Sequence, residues 1–147
     1  MKIQKTILVG SRAFFGNIDG FTSKDYDYVL IVNREDVEFD YKNVISSPEE
    51  HICRFIVVKR PAGELVDWVL THGSPLTLGQ FLVPEYIKEM GITMQHLRKL
   101  QPLAEMIDKR HEYVQYIYYA YILNGDFVLT DEQQKEAFEL YKKNRQL

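Results

Sequence analysis

The sequence is poor in the residues that hold small secreted or metal-bound proteins together. Cys53 is its only cysteine. One cysteine can form no internal disulfide and no zinc site by itself, so a reducing, cytoplasmic setting is expected. The histidines, His51, His72, His96 and His111, have no paired metal-ligand spacing. No apolar run approaches the roughly 20 residues that span a bilayer. The opening MKIQKTILVG is too short an apolar run for a signal peptide, and no membrane association is expected. Excess charge is also lacking. The net charge of −3 argues against a general nucleic-acid coat, which needs a basic surface, but leaves room for a local basic patch. There is no internal repeat and no low-complexity segment.

What is present suits a folded soluble chain. Of the residues, 46% are hydrophobic and 27% charged, an ordinary globular balance. The strand candidates fall in the first 60 residues. Residues 3–9 form an apolar strand broken by Gly10-Ser11. Residues 12–24 are rich in Gly, Asn, Ser and Asp, and read as a helical turn followed by loop. Residues 25–32, DYDYVLIV, read as a strand exposed at one end and buried at the other. Residues 33–50 read as a polar, acidic connection, and residues 52–58 as a third strand that carries Arg54.

Helices are expected afterwards. A short one spans 64–72, with Gly73 as its stop. Pro84 opens another that ends before Gly91, and Thr93 caps the next. Residues 103–123 read as one helix from the spacing of Leu103, Met106, Ile107, Val114, Ile117, Tyr118, Tyr121 and Ile122, which is ended by Asn124-Gly125. Thr130 and Gln133 form a capping-box pattern before a final helix over about 131–144.

One constellation carries chemistry. An apolar strand ends at Gly10-Ser11, and Asp25-Tyr26-Asp27-Tyr28 begins the next strand. Aspartates two apart on a strand share a face. Two like charges that close call for a cation or a cluster of donors, and hard carboxylate oxygens suit Mg²⁺, which keeps waters and takes phosphates as its other ligands. Glycine allows close backbone approach to a phosphate, and the serine hydroxyl and nearby amides can donate to it. Taken singly, an Asp-x-Asp pair is an ordinary solvated strand end and a Gly-Ser step an ordinary turn. Their order and flanking apolar strands set them apart.

In Val9-Gly10-Ser11 and Asp25-Tyr26-Asp27-Tyr28, the sequence resembles the DNA polymerase β-like nucleotidyltransferase superfamily. Gly10-Ser11-Arg12-Ala13-Phe14-Phe15-Gly16 and Ser23-Lys24-Asp25-Tyr26-Asp27 are most similar to small bacterial and phage nucleotidyltransferases. The resemblance covers about residues 7–32. It implies an α+β (α/β) fold, with a short mixed β-sheet nucleotidyltransferase core over 1–102 and a helical extension over 103–147 packed on it. It implies transfer of a nucleoside monophosphate from an NTP such as ATP to an acceptor, with two Mg²⁺. Gly10 and Ser11 would meet the triphosphate, Asp25 and Asp27 the metals, and Arg12 a further phosphate. The acceptor, whether protein, RNA or small molecule, stays open, and a homodimer or partner protein could complete its site.

The family also carries a third carboxylate on a later strand. Residues 52–59 contain no acid and carry Arg54 and Lys59 instead. Glu64 and Asp67 just after that strand, or Glu50 just before it, are the substitutes. If none reaches the site, Arg54 could neutralise the aspartates, leaving a degenerate nucleotidyltransferase fold that binds a nucleotide or a partner.

The remaining residues read two ways. Tyr113, Tyr116, Tyr118, Tyr119 and Tyr121 could stack bases, but tyrosines on such a helix more often fill a core and keep their hydroxyls at its rim. Lys109-Arg110-His111 and Lys142-Lys143-Asn144-Arg145 could meet phosphates, or simply be solvated helix faces. Trp68 reads as core, His72 as a helix-end residue, and Cys53 as a strand residue with no nucleophile's partners.

Overall fold

A computed structural model describes residues 3–23, 25–32, 41–46, 52–59 and 75–145. The fold is α+β. The chain divides into two compact units, Met1–His72 and Gly73–Leu147. The expected helix over 64–72, with Trp68 and His72, lies outside the described residues.

The first unit is built on a four-stranded sheet. Its strands are β1 (Ile3–Val9), β2 (Asp25–Val32), β3 (Tyr41–Ser46) and β4 (Ile52–Lys59), in the order β1-β2-β4-β3. β1 runs antiparallel to β2, β2 parallel to β4, and β3 antiparallel to β4, so the sheet is mixed. Helix α1 (Ser11–Phe15) follows β1 and buries Phe14 and Phe15. The central β2 is exposed at Asp25 and fully buried at Val29, Ile31 and Val32, the gradient its sequence implies. On one face, Ile7 pairs with Val29 and Val9 with Asp27, so the apolar cluster ends at the carboxylate.

β3 is a strand within what its polar sequence suggests is a connection. Among the described residues it lies at the sheet edge and pairs with β4, with an irregular register between Lys42 and Ile45. An edge strand draws its ladder from a single neighbour and need not show apolar alternation.

The second unit is helical: α2 (Pro75–Phe81), α3 (Pro84–Met90), α4 (Met94–Ala104), α5 (Glu112–Asn124) and α6 (Asp131–Arg145). Pro84 opens α3, and Gly91 closes it in a left-handed conformation. Thr93 caps α4 through a reciprocal bond with His96. Thr130 and Gln133 exchange the bonds of a capping box.

The single helix expected over 103–123 is instead two. The apolar spacing runs on through a break, because Asp108 accepts a bond from the Arg110 amide at 2.8 Å and starts a 3₁₀ turn over Lys109–His111. Gln115 then donates to the carbonyls of Glu105 and Ile107, groups that a continuous helix would have bonded itself. Met106, expected on the buried face, is 80% exposed.

The second unit begins at Gly73, so residues 75–102 lie in the helical unit. Their packing explains this. Tyr118 donates its hydroxyl to the Pro75 carbonyl at 2.9 Å, and Tyr121 to the Leu82 carbonyl at 2.8 Å. Gly79 lets α2 approach α5 so closely that an added Cβ would collide with Val114 Cγ1 and stand 2.8 Å from Tyr118 Cε2.

Gly79→Ala is expected to destabilise the helical unit by about 1–3 kcal/mol, the range for overpacking, measured by urea unfolding. The tyrosines give a pH signature. Burial raises the phenols of Tyr86, Tyr118 and Tyr121, and desolvation with the bond to Glu136 pushes Tyr116 up to about 12. A raised folded pKa means a contribution to stability that is complete below the ordinary tyrosine value of about 10 and is lost as pH climbs through the raised one. Tyrosinate absorbance from the buried phenols should therefore appear together with the loss of helical circular dichroism, not before it.

Candidate functional site

The site forms where β1 gives way to α1, beside the start of β2. Gly10 ends the apolar run and adopts φ 78°, ψ −165°, a conformation that side chains disfavour. A Cβ at this position would stand 3.0 Å from Asp27 Oδ2. The turn therefore needs glycine twice over, for its dihedral angles and for the space the carboxylate takes. The Gly10 carbonyl accepts bonds from the Ala13 and Phe14 amides and so begins α1. Ser11, the next residue, is half-buried.

Asp25 and Asp27 share a face of β2. Asp25 is exposed and Asp27 half-buried. Ser23 fixes the strand's entry: its hydroxyl accepts the Asp25 amide at 3.1 Å and donates to the Asp25 carbonyl at 3.2 Å. The structure thus brings Gly10, Ser11 and Asp27 to one place, with Asp25 two residues farther out on the strand.

Arg12, expected as a phosphate contact, has other partners. Its Nη2 donates to the Ser23 carbonyl. Its guanidinium lies over the Tyr26 ring at 4.0 Å and the Phe21 ring at 5.5 Å. Sequence reasoning gave Ser23 and Tyr26 no role. The signal for Ser23 was local, a serine two residues before a strand's first aspartate. For Tyr26 there was none, because its partner comes from the preceding helix.

Across the parallel ladder, Arg54 pairs with Asp27 and Ile52 with Asp25. The register therefore places a basic residue where a third carboxylate was sought. The substitutes Glu50, Glu64 and Asp67 lie outside the described residues. Among the described residues, no group of three or more His, Cys, Asp and Glu side chains forms a metal cluster. The donor set at hand is two carboxylates beside a glycine turn whose missing side chain makes way for the Asp27 carboxylate. That set fits Mg²⁺ completing its shell with phosphate and water.

The helical unit presents a concavity of about 240 Å³, lined by residues that include Glu105, Glu112, Tyr116, Tyr119 and Leu140. Of the tyrosines on α5, Tyr113, Tyr118 and Tyr121 are buried and Tyr119 is half-exposed, so the core accounts for most of the run. In the first basic cluster, the Asp108 carboxyl feels a desolvation that raises its pKa, but the Arg110 amide and His111 outweigh it and lower the net value. In the second, Lys142 bonds Glu139 at 3.0 Å and covers the Phe138 ring. Among the described residues no helix is long and apolar enough to cross a membrane.

No family model matches the chain, and neither a curated protein nor a solved structure matches it.

Gly10→Ala and Gly20→Ala separate strain from contact. Both glycines have positive φ, but nothing lies within 4 Å of a Cβ at Gly20. Gly20→Ala should cost about 1 kcal/mol of backbone strain. Gly10→Ala should cost more in urea unfolding and also shift the NMR resonances of Asp27.

Proposed function

We propose that this chain is a nucleotidyltransferase that moves a nucleoside monophosphate from an NTP to a hydroxyl- or amine-bearing acceptor. The observation that carries the reading is the convergence of the Gly10 turn on Asp27, the meeting of a phosphate-compatible backbone with a metal-compatible carboxylate. The order of the motifs in sequence supports it independently, through the likeness to the polymerase β-like superfamily.

Each residue then has a task. Gly10 admits a triphosphate close to the backbone, and the Ser11 hydroxyl donates to it. Asp25 and Asp27 hold Mg²⁺, two ions in the full reading. Bound Mg²⁺ would neutralise charge on the departing pyrophosphate and acidify the acceptor hydroxyl. In the transfer, the acceptor oxygen or nitrogen bonds to the α-phosphorus, the bond to pyrophosphate breaks, and the acceptor's proton passes to a base. Glu50, Glu64 and Asp67 are the candidates for that base.

A second reading has its own observation, the pairing of Asp27 with Arg54. A basic residue in that register favours a degenerate member of the fold, one that binds a nucleotide or a partner without turnover.

Calorimetry with ATP, GTP, CTP and UTP, with and without Mg²⁺, tests both. The nucleotidyltransferase reading expects Mg²⁺-dependent binding that Asp25→Ala and Asp27→Ala abolish. Binding that is indifferent to Mg²⁺ and to both variants supports the degenerate reading. No binding of any nucleotide overturns the donor site altogether.

A further inference from the structure

We infer that Arg12 is a positioning residue for the carboxylate pair, and not a phosphate ligand. The inference rests on the metal-bearing reading of Asp25 and Asp27 and adds to it the part that holds them in place.

α1 spans only five residues, Ser11–Phe15, too few for a helix to persist on its own. Tertiary contacts must fix its direction. Phe14 and Phe15 anchor one side in the core. Arg12 reaches across the loop and makes two kinds of contact there. Its Nη2 donates to the Ser23 carbonyl, and its planar face lies 4.0 Å from the Tyr26 ring centre. Its Nε is buried, with no hydrogen-bond partner among the described residues.

Both contacts bear on the aspartates. Ser23 holds the Asp25 amide through its hydroxyl at 3.1 Å, so the Arg12 bond restrains the residue that starts β2. Tyr26 stands between the aspartates in sequence and points to the opposite face of the strand. Its ring also stacks near that of Tyr28, with the planes 10° apart. Fixing Tyr26 from one face sets where the two carboxylates leave the other. The ladder from Val9 to Asp27 restrains the site from the β1 side, and Arg12 restrains it from the loop side.

The chemistry calls for arginine in particular. A guanidinium offers an in-plane donor and a stacking face at once, whereas an ammonium is a compact point charge with no face to stack. Lysine at position 12 keeps the charge and loses the clamp.

The test is Mn²⁺ binding to the full chain by electron paramagnetic resonance, together with hydrogen exchange at the Asp25 amide. Arg12→Lys is expected to weaken Mn²⁺ by about tenfold to a hundredfold, the usual loss when a group supporting a metal ligand is removed. The Asp25 amide should exchange faster, while the urea midpoint stays close to that of the unaltered chain. Tyr26→Leu should reproduce both effects, and Tyr26→Phe, which keeps the ring, should reproduce neither. These two variants decide the matter if Arg12→Lys does not fold. Wild-type Mn²⁺ affinity and wild-type exchange in Arg12→Lys and Tyr26→Leu overturn the clamp. If the unaltered chain and Asp27→Ala alike fail to bind Mn²⁺, the metal-bearing reading falls and the positioning role with it. A change in Asp25 exchange alone then reports a loop restraint without a site.

Discussion

The pairing of Val9 with Asp27 makes one site from two separate stretches of chain. Glycine and serine follow the first strand, and the aspartates begin the second. Only antiparallel pairing of these strands, in this register, brings the end of one to the start of the other. Side chains alternate along a strand, so a slip of one residue would turn Asp27 to the opposite face and bury Tyr26 or Tyr28 among the apolar residues. The cluster of Ile7, Val9, Val29 and Ile31, all nearly inaccessible, holds the register against that slip. Hydrophobic burial at one end of β2 thus sets the placement of charge at the other.

Much of this was legible in the sequence. The apolar runs at 3–9 and 25–32 specify strands, and the acidic start of the second gives its exposed end. The helix boundaries at Pro84, Gly91, Thr93, Gly125 and Thr130 could be read because each is set by one residue's own chemistry. The misreadings have a common cause. β3 takes its ladder from β4, and nothing in residues 41–46 announces a partner elsewhere in the chain. The break after Ala104 depends on Gln115, a residue within the next helix, bonding carbonyls that the sequence pattern gives to a continuous helix. Features set by a residue's own chemistry are legible in the sequence, and those set by contacts between distant residues are not.

The same distinction applies to the site. Gly10, Ser11, Asp25 and Asp27 stand out by type and order. Arg12 stands out too, but its type suggests an anion, while its surroundings supply a carbonyl and two rings. The register across β4 bears on what the site can do. Arg54 opposite Asp27 puts a basic residue where the proposed transfer calls for an acid, and for that reason a binding role is proposed beside the catalytic one.

The burial gradient along β2 has a mechanical consequence. The strand is gripped where Val29, Ile31 and Val32 sit in the core, and its other end is held by pairing and by the loop instead of by burial. Asp27 has a ladder partner on each side, Val9 and Arg54, while Asp25 has Ile52 on one side and the Ser23 hydroxyl at its amide. The apolar end is thus fixed by exclusion of water and the acidic end by directional bonds, which lets the carboxylates meet solvent without loosening the strand.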